Sequence, residues 1–185
     1  MAILIEAISV VVRRDSIEAK YRGGWRAFLD DVPNSTLCAD DEIACVAFMA
    51  PEDVGAFVTH LEENRLRFLE GGRPVDLAVA DQQHGLTTPC DWLRFAKFKF
   101  ENRGQVSVCW LFEGPSLGAG IPIRSTSLNL ATPAGWSYEG SLSQSVVFVP
   151  TGQENERVKF LRSENGVEVY LDLDTGKEVF VGRTP

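Results

Sequence analysis

The sequence predicts an α+β fold. A ferredoxin-like βαββαβ half, with two helices on one face of an antiparallel sheet, is followed by an antiparallel β half of hairpins and a meander. Three observations carry that expectation. Strand-like apolar runs and helix-periodic stripes alternate over the first 95 residues. After Trp92 the helical period disappears and apolar residues recur at every second position. Asn165–Gly166 and Thr175–Gly176 then separate short alternating segments, and Asn-Gly is the strongest short hairpin signal. Residues 1–95 are therefore read as an α+β sandwich, and residues 96–185 as an antiparallel β region that stands alone or extends the first sheet.

Ile3–Val12 reads as one buried strand. Asp15 or Ser16 can cap a short turn after it, and Gly23–Gly24 interrupts any long helix there. Trp25, Phe28, Leu29 and Val32 fall at i, i+3, i+4 and i+7, a helical stripe that Pro33 ends. A short strand at Thr36–Cys38 and an acidic turn lead into a strand at Ile43–Met49. Pro51 suits a first helical turn, and Glu52 and Asp53 favour its positive dipole end. With the stripe Val54, Phe57, Val58 and Leu61, they predict a helix that Asn64 closes in a left-handed conformation. Arg67–Glu70 and Val75–Ala80 read as a hairpin around Gly71–Pro74.

In the second half, Ala96, Phe98 and Phe100 alternate with Lys97 and Lys99. Val106, Val108, Trp110 and Phe112 give the returning strand its buried face. The stretch from Gly114 to Gly140 is rich in glycine, proline and serine and signals only a strand near Ile123–Leu130. Val146–Val149 is a strand, and Val158–Leu161, Val167–Leu173 and Glu178–Val181 form the closing meander.

A chain of 185 residues can bury a full core without metal or disulfide staples. Its net charge of −8 argues against nucleic acid held through phosphate contacts. The balance is −7 in residues 1–95 and −1 in the rest, so a charged protein partner would be basic. No run approaches the ~20 apolar residues that cross a bilayer, and no membrane partner is expected. The opening "MAILIEAISVVVRR" lacks a basic leader and is interrupted by Glu6, unlike a signal peptide. A cytoplasmic location follows as the expectation, with Cys38, Cys45, Cys90 and Cys109 as reduced thiols in no C-x-x-C pattern. With only two histidines and unpatterned cysteines, no metal site and no cofactor are expected.

Chemistry-bearing residues concentrate in "DQQHGLTTPCDW", residues 81–92. A thiol nucleophile needs a base and a group that orients the base. Cys90, His84 and Asp81 or Asp91 supply those types, which makes a thiol-dependent enzyme one reading. The other is a polar connector whose exposed groups, Gln83 and His84, contact a ligand. Trp92 and Trp136 lie among glycine, serine, threonine or proline, where an indole can line a pocket or an interface. Gly114–Gly120 is glycine-rich but is followed by Ile121 and Pro122 where a P-loop needs lysine and Ser/Thr.

Two pieces, "AISVVVRRD" before a helix and "CVAFMAPEDVGAFVTHLEENRLRF…VDLAVADQQHG", resemble the modules of the glyoxalase/bleomycin-resistance (vicinal oxygen chelate) family. In that family a strand, an amphipathic helix and a hairpin ending in an Asp…Gly loop recur. Ala7 stands where the resemblance would place a metal histidine, so it implies a metal-free small-molecule binder. Taken together, the residues predict a non-catalytic binding or regulatory protein. Its ligand is a protein partner or an apolar small molecule, and self-association into a homo-oligomer is compatible with either.

Overall fold

The structure, a computed structural model, describes residues 1–100, 104–112, 130–143, 147–148, 158–164, 167–172 and 178–182. In chain order its elements begin with β1 (Ala2–Ile5), β2 (Ile8–Arg13), α1 (Arg14–Lys20) and α2 (Gly24–Asp31). Next come β3 (Cys38–Ala39), β4 (Ile43–Phe48) and α3 (Pro51–Glu63). The short strands β5 (Leu69–Glu70) and β6 (Arg73–Pro74) precede β7 (Leu77–Asp81) and β8 (Gly85–Leu86). The long pair β9 (Leu93–Phe100) and β10 (Gly104–Leu111) is followed by β11 (Leu130–Ala131). The last are β12 (Val147–Phe148), β13 (Val158–Glu164), β14 (Val167–Asp172) and β15 (Glu178–Gly182). This is a mixed α+β architecture, with three helices among the described residues.

Two sheets and a helical layer position the site. One sheet has the order β3-β4-β2-β7-β8, antiparallel throughout. Its strands bury both faces, because alternate side chains point to opposite sides of a pleated sheet. Val10, Val12, Val46, Leu77 and Val79 meet Ile17, Phe28, Phe57 and Leu61 of the helices. Val11, Ile43, Cys45, Ala78 and Ala80 turn the other way and pack on Ile3, Ile5, Leu93 and Cys109 of the second sheet. That second sheet runs β11-β1-β10-β9, with β1 antiparallel to β10 and parallel to β11. Burial on both faces explains why "ISVVV" reads as unbroken apolar sequence rather than as alternation.

The predicted single strand Ile3–Val12 is two strands in two sheets. Ala7 breaks it with φ 46°. Gln82 holds the break, its Oε1 accepting from Ala7 N at 2.9 Å while its own N–H donates to Ala7 O at 2.8 Å. A conformation set by a residue 75 positions away leaves no local signal.

Two helices were expected on the first sheet, and three are present, all contributing to one core layer. The segment after β2 forms seven-residue α1 rather than a turn, and Gly23 (φ 88°) separates it from α2. Leu29 of the expected α2 stripe is exposed, and Phe28 alone of that helix is fully buried. In α3 the stripe is buried as predicted, but Asn64 has φ −93° and the left-handed residue is Arg65, at φ 77°. The hairpin expected at Arg67–Ala80 is a small β5–β6 pair of its own, while β7 joins the main sheet beside β2.

In the second sheet the register opposes Phe98 to Val106 and Ala96 to Val108, as the alternation implies. Strands β13, β14 and β15 pair antiparallel in sequence order, and β12 pairs parallel to β15. The strand expected at Ile123–Leu130 falls outside the described residues except for Leu130. The Asn165–Gly166 and Thr175–Gly176 turns also lie outside them. No helix among the described residues is long and apolar enough to cross a membrane.

Candidate functional site: a cavity beneath the Pro133–Ser143 segment

The chain from Pro133 to Ser143 folds back over the strand break at Glu6–Ala7 and encloses space against it. Local geometry shapes the segment first. Trp136 N–H donates to Pro133 O at 3.1 Å, which closes a turn in which Gly135 takes φ 77°. Ser141 donates to Tyr138 O through both its N–H (3.2 Å) and its hydroxyl (2.9 Å). Aromatic packing then fixes the segment to the second sheet. Tyr138 stacks on Phe100 at 5.6 Å between centroids, and Trp136 meets the same ring edge-on at 5.7 Å. Tyr138 is buried, and a methyl group at Gly104 would come 1.8 Å from its hydroxyl oxygen.

Polar ties complete the attachment. Glu6 Oε1 accepts from the Trp136 indole N–H (3.1 Å), the Ser143 N–H (3.2 Å) and the Ser143 hydroxyl (3.1 Å). Gln82 Nε2 donates to Leu142 O at 2.9 Å, and Ser107 Oγ donates to Gln82 O at 2.7 Å. One glutamine thus connects the strand break, the β10 strand and the overlying segment.

The space enclosed measures about 280 Å³. Leu4, Phe48, Met49, Pro133, Trp136 and Leu142 give it large apolar walls, with Ala7, Ala47 and Ala134 between them. Its polar groups are Glu6, Ser35, Thr36, Cys38 and Cys45, and no lysine, arginine or histidine is among its lining residues that the structure describes. Thr36 is already engaged: its hydroxyl oxygen accepts from Ala47 N–H at 2.8 Å and lies 2.6 Å from Asn34 Oδ1. The second carboxylate oxygen of Glu6 accepts no hydrogen bond from any described residue.

Of the candidate site residues Asp81, Gln83, His84, Cys90, Trp92 and Trp136, Trp136 lines this cavity. Trp92 donates its indole N–H to Pro74 O at 3.1 Å and packs on the core between the two sheets. The "DQQHG" turn is organised by Asp81, whose Oδ1 accepts from Gln83 N–H (2.8 Å) and His84 N–H (2.7 Å). The His84 ring nitrogen Nδ1 sits 2.8 Å from the same oxygen, with its side chain 83 % exposed. Gly85, at φ 88°, lets the chain turn where Phe95 crowds it.

Cys90 is buried, and its carbonyl accepts from Arg94 at 3.0 Å. Burial pushes its thiol above the usual range, partly offset by the N–H groups of Trp92 and Leu93. The structure gives its sulfur no imidazole partner among the described residues. His60, the other histidine, is a boundary residue with Nε2 3.2 Å from the Tyr21 hydroxyl. Among the described residues no cluster of three or more His, Cys, Asp or Glu side chains is arranged to hold a metal ion.

Sequence reading missed Glu6 and Gln82. Glu6 did carry a signal: it is the one charged side chain in the apolar run "AILIEAISVVV". A lone carboxylate between buried strands needs partners, and those partners mark a site. Comparison of the chain with protein-family models, with curated proteins and with solved structures returned no match.

Proposed function

We propose that this protein is a non-catalytic binder of a small, mainly apolar molecule that carries a hydrogen-bond donor, held in the cavity under Trp136. The observation that carries the reading is the pairing of apolar walls with the Glu6 carboxylate, whose Oε1 is anchored by Trp136 and Ser143 at the cavity wall. A cavity of about 150 Å³ accommodates benzene, so about 280 Å³ suits a molecule of about a dozen non-hydrogen atoms. Among the described lining residues Glu6 is the one charged group, which disfavours carboxylates and phosphates. An arylalkylamine or an aryl alcohol fits the chemistry: the ring lies against Trp136, Phe48 and Met49, and the donor meets Glu6.

The fold around this site is read as ferredoxin-like. The order β3-β4-β2-β7, with helices between β2 and β3 and between β4 and β7, supports that assignment. Pairing of β1 with β10 favours the second sheet as an extension of the N-terminal unit rather than a division at residue 95. Unbridged Cys38, Cys45, Cys90 and Cys109 favour a reducing compartment such as the cytoplasm.

Isothermal titration with matched sets of arylalkylamines, neutral arenes and arylcarboxylates tests the proposal. Dissociation constants of about 1 μM to 1 mM are expected for the amines, given the ligand size. Carboxylates should bind at least tenfold more weakly, and Ala47→Leu, which fills the cavity, should abolish binding of all three sets. Equal affinity for all three charge types, or binding unchanged in Ala47→Leu, would refute it.

A further inference from the structure

We propose that Cys38 and Cys45 form a reversible redox site on the cavity wall, closing to a disulfide as a small disulfide entering the cavity is reduced. The two residues are directly opposite one another on β3 and β4. Directly opposed residues of an antiparallel pair have Cα atoms about 4.5–5.5 Å apart, within the span of a disulfide. Both thiols approach one acceptor, Leu4 O, at 4.0 Å from Cys38 Sγ and 3.7 Å from Cys45 Sγ. Both also line the cavity, which Cys90 and Cys109 do not. Both thiols are themselves buried, so a small reagent reaches this pair from the cavity side. β3 is a two-residue strand at the sheet edge, paired within its sheet with β4 among the described residues, so it can shift toward β4 without breaking a second strand pairing.

The exchange proceeds in two displacements. The Cys45 thiolate attacks one sulfur of the small disulfide, whose S–S bond breaks, and the departing sulfur takes up the proton that Cys45 released. Cys38 then loses its proton and attacks the Cys45 sulfur of the mixed disulfide, expelling the second small thiol. The protein gives up two electrons and two protons, and the small disulfide becomes two thiols. The adjacent Cys45 side chain and burial push the Cys38 thiol well above its usual range. The reaction is therefore slow at neutral pH and accelerates as pH rises. Opposed Cβ atoms stand about 4.5–5.5 Å apart, wider than the roughly 3.5–4.5 Å of a relaxed bridge. Drawing the strands together strains the bond and makes it readily reducible.

The test treats the reduced full chain with 2-hydroxyethyl disulfide at pH 8 without denaturant, blocks remaining thiols and maps the peptides. The expected product is a Cys38–Cys45 link, about two mass units lighter, that dithiothreitol reverses, with Cys90 and Cys109 unlinked. Cys38→Ser should stop at a mixed disulfide on Cys45, and Cys45→Ser should form no adduct. If either variant fails to fold, the map of the unmodified sequence decides alone. A folded chain that keeps both thiols, links them only in denaturant, or bridges Cys90 or Cys109 instead overturns the proposal. Loss of the disulfide with amine binding intact would overturn this site alone and leave the ligand reading standing.

Discussion

The indole N–H of Trp136 donates to Glu6 Oε1 at 3.1 Å, joining two residues 130 positions apart across the strand break. Replacing Glu6 by alanine leaves that N–H without its carboxylate acceptor and leaves the Ser143 N–H with Ser141 Oγ alone, at 3.2 Å. An N–H left unpaired costs about 1–3 kcal/mol when it stays buried. The expected result is a lower unfolding midpoint in urea and faster exchange of the Trp136 indole proton. Glu6→Gln keeps an oxygen acceptor but removes the charge. It should preserve folding and weaken amine binding by about tenfold, a change of about 1.4 kcal/mol.

Gly104 and Tyr138 make a second, independent prediction about the same segment. A methyl group at residue 104 would meet the Tyr138 hydroxyl at 1.8 Å, so Gly104→Ala must displace that ring from its stack on Phe100. The overlying segment should loosen while α3 and its sheet remain intact. Hydrogen exchange would show protection lost at Trp136–Ser143 and retained at Val10–Val12.

In the helical layer, Phe57 of α3 is buried with its ring 5.3 Å from that of Phe48. Phe57→Ala should cost about 3–5 kcal/mol through lost burial and the cavity left behind. An unfolding midpoint close to that of the unmodified chain would contradict this packing.

Asp76 gives the pH dependence. Burial alone would raise its carboxyl, but hydrogen bonds from Lys20, Ser16 and the Arg67 N–H outweigh burial and hold it below the usual carboxylate range. A carboxyl lowered on folding stabilises the folded state above the unfolded value of about 3.9. That contribution fades as pH falls from about 4 through the folded value. Stability measured between pH 7 and pH 2 should drop less steeply in Asp76→Asn than in the unmodified chain.

Cys90 offers a test of the enzyme reading. Its thiol is raised by burial, and the neighbouring Asp91 adds to the effect. Alkylation in a variant lacking the other cysteines should be slow at pH 7 and still rising above pH 8.5. A plateau below about pH 7, against an ordinary thiol near 8.5, would mark an activated nucleophile instead.

Elements held by local periodicity were legible in the sequence, and elements held by distant partners were not. The α3 stripe and the β9–β10 register follow from side chains within one element or one hairpin, so their spacing announces them. The break at Ala7 depends on Gln82, and the cavity roof depends on Glu6 reaching Trp136 and Ser143. None of these pairings leaves a periodic trace. "DQQHG" drew attention for His84, which points into solvent, while the adjacent Gln82 makes the long-range ties. Trp136, read in the sequence as an indole among small and turn-forming residues that can line a pocket, lies on the cavity wall while packing edge-on against Phe100.

The most direct test of the account is a titration of the isotope-labelled chain with phenethylamine, followed by the indole N–H resonance of Trp136. The account predicts a saturable shift of that resonance together with the amides of Ala7, Ala47 and Leu142, no response at His84 or Cys90, and loss of the whole effect in Ala47→Leu. Shifts confined to residues 81–92, or none at Trp136 at millimolar ligand, would contradict it.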